Sequence, residues 1–274
     1  MKILIACDME GISGVTSFEQ VDPSTVEYQR FRRLMTGDVN AAIAGAYEAG
    51  ADEVVVTDGH WFGSNILVEE LDRRARLNTG GPAPLAMVQG VDAGVDAAFF
   101  VGYHARAGSQ NAILDHTWSS SKVANLWLNG LLVGETGLNS SLCGYFNVPV
   151  LLVTGDQAVC EEARLWLTDV TTVAVKQASG RHAAEVLPPA VTAELIQAGA
   201  RAALERYKAE GLPRLVELMT PIKVTVEFIY ADMADRAALY PHATRLDGRK
   251  LEFTCDSMLE AYQAFRAVVT LASR

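Results

Sequence analysis

The sequence predicts an α/β fold whose mainly parallel sheet is flanked by helices, with a smaller α+β region at the C-terminal end. Two observations support this prediction: short apolar runs alternate with helical patterns along the chain, and that alternation changes beyond about residue 185. Because 50% of the 274 residues are hydrophobic, the chain can bury a full core. We therefore expect an α/β domain over residues 1–185 and an α+β region over 186–274.

Four apolar runs predict the strands of the parallel sheet. They are KILIACD at 2–8, DEVVVTDGH at 52–60, AAFFVGYHA at 97–105 and VPVLLVTGDQ at 148–157. Each run is short and rich in bulky or β-branched residues, and each leads into Gly, Asp or His. This pattern is typical of strands that are buried on both faces.

Helical patterns lie between these runs. Residues 37–50 predict a helix with Asp38 as its N-cap and Gly50 as its C-terminal stop. Two further helices are predicted over residues 134–145 and 156–167. Strands and helices that alternate in this way indicate right-handed crossovers between parallel strands.

The segment after residue 185 has a different pattern. We expect one long helix over 190–211, strands over 221–230 and 249–256, and a terminal helix over 257–272. Because few candidate catalytic groups fall in this segment, we expect it to serve packing, the wall of a substrate site or assembly.

Composition excludes several classes of function. The net charge of −10 and the pI near 5.0 disfavour a nucleic-acid surface. No apolar stretch approaches the ~20 residues of a membrane span, and the first residues lack the features of a signal peptide. Since the four cysteines (Cys7, Cys143, Cys160, Cys255) are widely spaced, we expect core thiols in a reducing compartment, and hence a cytoplasmic protein without membrane or nucleic-acid partners.

The ends of the predicted strands carry the candidate functional residues. Because the carboxyl ends of parallel strands line one edge of a sheet, these residues are expected to meet there. In chain order the strands lead into Asp8-Met9-Glu10, Asp58-Gly59-His60, Tyr103-His104 and Asp156.

Several carboxylates at one edge would repel each other unless a cation compensates their charge. Carboxylate and imidazole together suit zinc, whereas magnesium and calcium prefer oxygen ligands. Gly11 and Gly14 would let the chain turn so that Asp8 and Glu10 both face one ion. A carboxylate can also bridge two metals ~3.5–4 Å apart, which together promote hydrolysis.

Each of these residues also has an ordinary structural interpretation. A single Asp at a strand end commonly forms a turn or caps a helix, and a single His is commonly structural. Three of the five histidines, His60, His104 and His116, nevertheless fall near predicted strand ends or in the loop after one. The other two, His182 and His242, lie outside this set and are expected to be structural.

The motifs DMEGISG, DGH, GYHARAG, DHT and GETGLNS occur in this order and resemble those of the zinc-dependent D-aminopeptidases of the DppA type, peptidase family M55. The resemblance extends over the whole chain. It implies a site of two zinc ions per subunit in residues 1–185, with Asp8 as the bridging carboxylate. The implied metal ligands are Asp8, Glu10, His60, His104 and Glu135.

The resemblance also implies a catalytic residue and an assembly. The catalytic histidine of the family corresponds to His116, as a nucleophile or as a general acid or base. The implied substrates are short peptides or amino-acid amides with an N-terminal D-amino acid, and the implied assembly is a homo-oligomer, a ring-forming homodecamer in that family. For Glu135 the residues alone equally suggest an acidic group at the start of a helix. Asp58 is either a group that orients an imidazole or a turn residue.

Three other interpretations remain open at this stage. A haloacid dehalogenase-like magnesium phosphatase would use Asp8, Glu10 and Asp156, but its second acid is normally Asp, and the histidines would have no role. A peptide-binding component of a transporter would need an export signal. A structural zinc site would normally contain thiolates, and the cysteines lie away from the site.

Overall fold

The computed structural model describes residues 1–273, in which six α-helices and twelve strands are found. The helices are α1 (Tyr28–Glu48), α2 (Glu135–Tyr145), α3 (Gln157–Trp166), α4 (Pro189–Glu210), α5 (Ala231–Ala237) and α6 (Met258–Leu271). The first six strands are β1 (Lys2–Cys7), β2 (Glu53–Asp58), β3 (Ala75–Asn78), β4 (Ala97–Val101), β5 (Val123–Leu128) and β6 (Leu131–Val133). The others are β7 (Val150–Asp156), β8 (Thr171–Gly180), β9 (Ala183–Val186), β10 (Ile222–Phe228), β11 (Thr244–Arg245) and β12 (Lys250–Cys255).

The larger sheet has seven strands in the order β3-β2-β1-β4-β7-β8-β9. All of its pairings are parallel except the last, in which β9 pairs antiparallel with β8. Its central strands β1, β4 and β7 are almost completely buried, as their apolar sequences require. The predicted α/β fold with a mainly parallel sheet is therefore confirmed.

A smaller antiparallel sheet of five strands has the order β11-β12-β10-β5-β6. Its strands β10 and β12 and helix α6 correspond to the predicted α+β elements of the C-terminal region. Strands β5 and β6 come from the first part of the chain, whereas α4 packs on α1 beside the larger sheet. The smaller sheet thus combines strands from before and after residue 185. The division of the chain into units of residues 1–185 and 186–274 stays a prediction.

Two apolar cores lie on opposite faces of the larger sheet. On β1, Ile3 and Ile5 pack in the core that contains the buried faces of α1 and α4. The alternate residues Leu4 and Ala6 pack in the other core, which also contains residues of α2, α6 and β10. The smaller sheet and one face of the larger sheet therefore pack in the same core, together with helices α2 and α6.

Helix α1 differs from its prediction at the N-terminal end. It begins at Tyr28, so Asp38 lies inside the helix and the prediction that it is the N-cap was wrong. Tyr28, Phe31 and Met35 bury one face of the added turns. The helix ends at Glu48, and Gly50 follows with a φ of +85°, as expected for a C-terminal stop.

The four cysteines are buried and form no disulfide. None of the helices in the described part of the chain combines the length and the apolar character that crossing a bilayer requires.

Candidate metal centre

The candidate site lies where the carboxyl ends of three neighbouring strands meet. Strand β1 lies between β2 and β4, and its last residue, Cys7, is in register with Asp58 of β2 and Val101 of β4. The loops that follow these strands therefore leave the sheet side by side. They carry Asp8, Glu10, His60 and His104.

The loop after β1 folds back tightly over the end of β4. Gly11 donates its N–H to the Gly102 carbonyl at 2.8 Å. A Cβ at position 11 would lie 1.8 Å from the Tyr103 carbonyl oxygen, so no other residue fits there without moving the backbone. Gly14 completes the turn with a φ of +81°, in the left-handed region that favours glycine. This path brings the side chains of Asp8 and Glu10 to the same buried position.

Three carboxylates and two imidazoles meet at this position. His60 Nδ1 lies 3.1 Å from both Asp8 Oδ1 and Glu10 Oε2. His104 Nε2 lies 3.4 Å from Asp8 Oδ2 and 3.2 Å from Glu135 Oε1. All five side chains are buried. The structure thus brings together the five residues that the sequence analysis named as ligands.

His116 lies beside this group. Its Nε2 is 3.9 Å from Glu10 Oε1 and 3.8 Å from Glu135 Oε1. Its ring stacks on that of His104 with the centroids 4.0 Å apart. Its Nδ1 lies 2.8 Å from the Leu114 carbonyl, to which an Nδ1–H can donate, so Nε2 is the ring nitrogen that faces the carboxylates.

The same arrangement orients the other two imidazoles. His60 Nε2 lies 2.8 Å from the Val21 carbonyl, and His104 Nδ1 lies 3.0 Å from the Ala105 carbonyl. Because only an N–H can donate to a carbonyl, the opposite nitrogen, which faces the carboxylates, is the one that would release its proton and bind a metal. Histidines that bind metals are commonly oriented in this way.

The electrostatics of the cluster favour a bound cation. Burial lowers the pKa of His60, but Glu10 and Asp8 overcome this effect and hold that pKa well above its ordinary value. Burial raises the pKa of Asp8, but His104 and His60 hold it well below its ordinary value. Within residues 1–273, Glu10 Oε2 and His104 Nε2 are buried without a hydrogen-bond partner. A positive charge between these atoms would satisfy both.

The donor atoms form two overlapping groups that could each hold an ion. One group contains Asp8, Glu10 and His104, and the other contains His104, His116 and Glu135. Within each group the ligand atoms lie within 4.8 Å of one another. Their mixture of nitrogen and oxygen donors fits zinc.

Residue patterns in the sequence did not indicate Glu135 as a ligand. Only the family resemblance implied it. It is the first residue of α2, where an acidic group commonly offsets the helix dipole. Here its Oε1 accepts the Trp118 N–H at 2.7 Å and faces His104. Its burial is the distinguishing feature, and burial becomes visible only when the fold is known.

Two strand-end aspartates serve the surrounding loops. Asp58 accepts hydrogen bonds from Asn65 Nδ2 at 2.7 Å and from Ile66 N at 2.9 Å, which anchors the loop after β2. Asp156 is the N-cap of α3, where it accepts the Val159 N–H at 3.0 Å, and it also accepts the Ile113 N–H at 2.7 Å. Asp58 is therefore a turn residue, and Asp156 is a helix cap.

Lys176 of β8 supports the metal-binding loop, a role that the sequence did not indicate. Its Nζ donates to the carbonyls of Glu10, Ile12 and Val15 at 2.7, 2.9 and 2.8 Å. The side chain is fully buried, and burial lowers the pKa of Lys176 to about 8. Asp38 holds the same loop from the other side, because it accepts hydrogen bonds from Ser13.

We expect Lys176→Met to lower the free energy of unfolding at pH 7 by about 3–5 kcal/mol, because it leaves three carbonyls without a charged donor. Chemical denaturation followed by circular dichroism would measure this loss. Lys208→Met is the matched control, since Lys208 is exposed and donates to the single carbonyl of Ala49. Equal stability of the two variants would contradict the role given to Lys176.

A cavity of about 600 Å³ opens onto the cluster. Asp8, Glu10, His116 and Glu135 lie in its lining. The remaining walls come from Phe18, from the loops over 58–63, 80–87 and 118–122, and from the C-terminal half of α6 together with Ser273. This volume is typical of sites that bind small molecules.

Known proteins resemble this chain over its whole length. The family model for peptidase M55, described as D-aminopeptidase, matches residues 1–267. The D-aminopeptidase of Bacillus subtilis (strain 168) is 37% identical to this chain, and the alignment covers 100% of this chain and 98% of that protein. A solved structure of the Zn-dependent D-aminopeptidase DppA from Bacillus subtilis, a self-compartmentalizing protease, superposes with a TM-score of 0.95 at 36% identity, over 100% of this chain and 98% of that one.

Proposed function

Because this chain belongs to peptidase family M55, the D-aminopeptidases, and is a metal-dependent aminopeptidase, we propose that it removes N-terminal D-amino acids from short peptides at a centre of two zinc ions. The observation that carries this proposal is the buried convergence of three carboxylates and three imidazoles at one edge of the sheet. The zinc dependence of the similar Bacillus subtilis enzyme supports the choice of metal.

The proposed ligands are Asp8, Glu10, His60, His104 and Glu135, with Asp8 shared between the two ions. The directions of its two oxygens support the shared role. Oδ1 faces His60 Nδ1 at 3.1 Å, whereas Oδ2 faces His104 Nε2 at 3.4 Å. The Asp8 carboxylate therefore faces His60 with one oxygen and His104 with the other.

When bound, zinc supplies the Lewis acidity that activates water and polarises the scissile carbonyl. His116 is the proposed proton carrier, and Nε2 is the atom that takes the proton because Nδ1 donates to the Leu114 carbonyl. In hydrolysis His116 would accept a proton from the attacking water and return it to the leaving amine, so that an amide and water give an acid and an amine.

Removal of the metal tests this proposal. We expect chelation to abolish hydrolysis of D-alanyl dipeptides and D-alaninamide, and added zinc to restore it. Elemental analysis should give two zinc ions per chain, and zinc should raise the melting temperature of the chelated protein because it binds only the folded state. Activity that is indifferent to chelation would contradict the mechanism, whereas a preference for L-substrates would contradict only the proposed chirality.

The alternatives considered from the sequence have no support. Family membership identifies a peptidase and leaves the phosphatase and the non-catalytic peptide-binding protein without a matching relative. Asp156, which the phosphatase would need, caps α3.

We further propose a homo-oligomer, and specifically a homodecamer, in the cytoplasm. The description of the similar Bacillus subtilis enzyme as self-compartmentalizing supports assembly. The four buried free thiols support a reducing compartment. Sedimentation velocity would give the number of subunits.

A further inference from the structure

Residues of opposite charge line the cavity. The metal-binding cluster contributes Asp8, Glu10 and Glu135, whereas Lys122 and Arg266 contribute positive charge from another part of the lining. Neither Lys122 nor Arg266 forms an ion pair with any residue in the range 1–273.

Lys122 is held in place but keeps hydrogen-bonding capacity. Its Nζ donates to Ser273 Oγ at 2.6 Å, and the other N–H groups of the ammonium are available to a ligand. Arg266 donates to the Pro84 carbonyl, and its guanidinium lies 5.9 Å from the centroid of the Tyr262 ring. The neighbours of both cations are neutral groups, so their charge is not neutralised within the described chain.

The loop that carries Lys122 adjoins the metal-binding cluster. Trp118 donates its N–H to Glu135 Oε1 at 2.7 Å, and Ser119 accepts the Lys122 N–H at 3.1 Å in a turn. Such a turn brings the Cα atoms of Ser119 and Lys122 within ~7 Å of each other. Lys122 therefore follows closely on the segment that contacts Glu135, and both residues line the same cavity.

We propose that Lys122 binds the C-terminal carboxylate of the substrate, and that Arg266 adds positive potential to the same wall. This inference rests on the proposed function, because it places the N-terminal residue of the substrate at the metal-binding cluster. A di- or tripeptide whose N-terminal residue lies at that cluster then presents its free C-terminal carboxylate to the positively charged residues of the lining. The preferred substrates are therefore short unblocked peptides, and amides are poorer substrates.

The test compares D-alanyl-D-alanine with D-alanyl-D-alaninamide, which differ only in the charge of the C-terminal group. With the zinc-loaded enzyme we expect kcat/KM to be about 10- to 100-fold higher for the free acid, the effect of one charge-assisted hydrogen bond. Lys122→Met should bring this ratio close to 1, mainly through a higher KM for the free acid. Lys122→Arg should retain a preference, and Arg266→Met should reduce it by a smaller factor.

Lys223→Met is the control, because Lys223 lies on β10 outside the cavity lining and should leave both rates unchanged. Zinc content and melting temperature would show that each variant is folded and loaded. Equal kcat/KM for acid and amide in the unmodified enzyme would overturn the inference alone, as would an unchanged ratio in Lys122→Met. Failure to hydrolyse either compound after zinc loading would instead count against the proposed function.

Discussion

His104→Ala should lower kcat/KM by at least about 1,000-fold, since it removes several kcal/mol of metal-derived stabilisation of the transition state. His104 is the residue common to both candidate ligand groups, and its Nε2 contacts both Asp8 and Glu135. Its loss should therefore weaken both ion sites together. Zinc content after gel filtration, measured beside kinetics on a D-alanyl dipeptide, would show this as a parallel loss of metal and activity.

His242→Asn is the control for that experiment. His242 is exposed and has a φ of +67°, a conformation that asparagine tolerates. This variant should keep both its zinc and its activity. If His104→Ala bound two zinc ions as tightly as the unmodified protein, the proposed ligand set would be wrong.

His116→Ala should lower kcat by about 100- to 10,000-fold, the usual contribution of a positioned general acid or base. Unlike His104→Ala, it should retain zinc, because the proposed role of His116 is proton transfer. Elemental analysis and single-turnover kinetics of the zinc-loaded variant would separate the two roles.

The possible outcomes for His116 differ clearly. Loss of zinc together with activity would make His116 a ligand, consistent with its place in the second donor group. Activity within a few-fold of the unmodified enzyme would exclude it both as a proton carrier and as a nucleophile. An acyl intermediate trapped on the unmodified enzyme and absent from His116→Ala would favour the nucleophile instead.

The sequence predicted the centre of the sheet because β1, β2, β4 and β7 are short apolar runs that lead into polar residues. Parallel packing then necessarily places Asp8, His60 and His104 at one edge. The outer strands were missed for a physical reason. Strand β8 is partly exposed and contains polar residues, so its pattern lacks the continuous apolar character of a central strand.

The parts of the site that sequence patterns could not predict depend on contacts between distant segments. Lys176 is a lysine in an unpredicted strand, and its role arises only because the loop after β1 turns three carbonyls towards it. Strand β5 likewise pairs with β10, about 100 residues away in the chain. Asp38 was assigned to a helix cap because the apolar positions that start α1 at Tyr28 were not included in the predicted helix.

The close approach of Gly11 to the Tyr103 carbonyl has a consequence for the evolution and engineering of this enzyme. A backbone that leaves no room for even a methyl group cannot accept variation, so the turn that carries the first two carboxylates should be fixed in any functional descendant. Trp61 and Phe62 line the cavity with 58% and 69% of their surfaces exposed, so we expect these two positions to accept side chains of other sizes. A library that aims at new side-chain selectivity should randomise this aromatic rim and leave the turn unchanged.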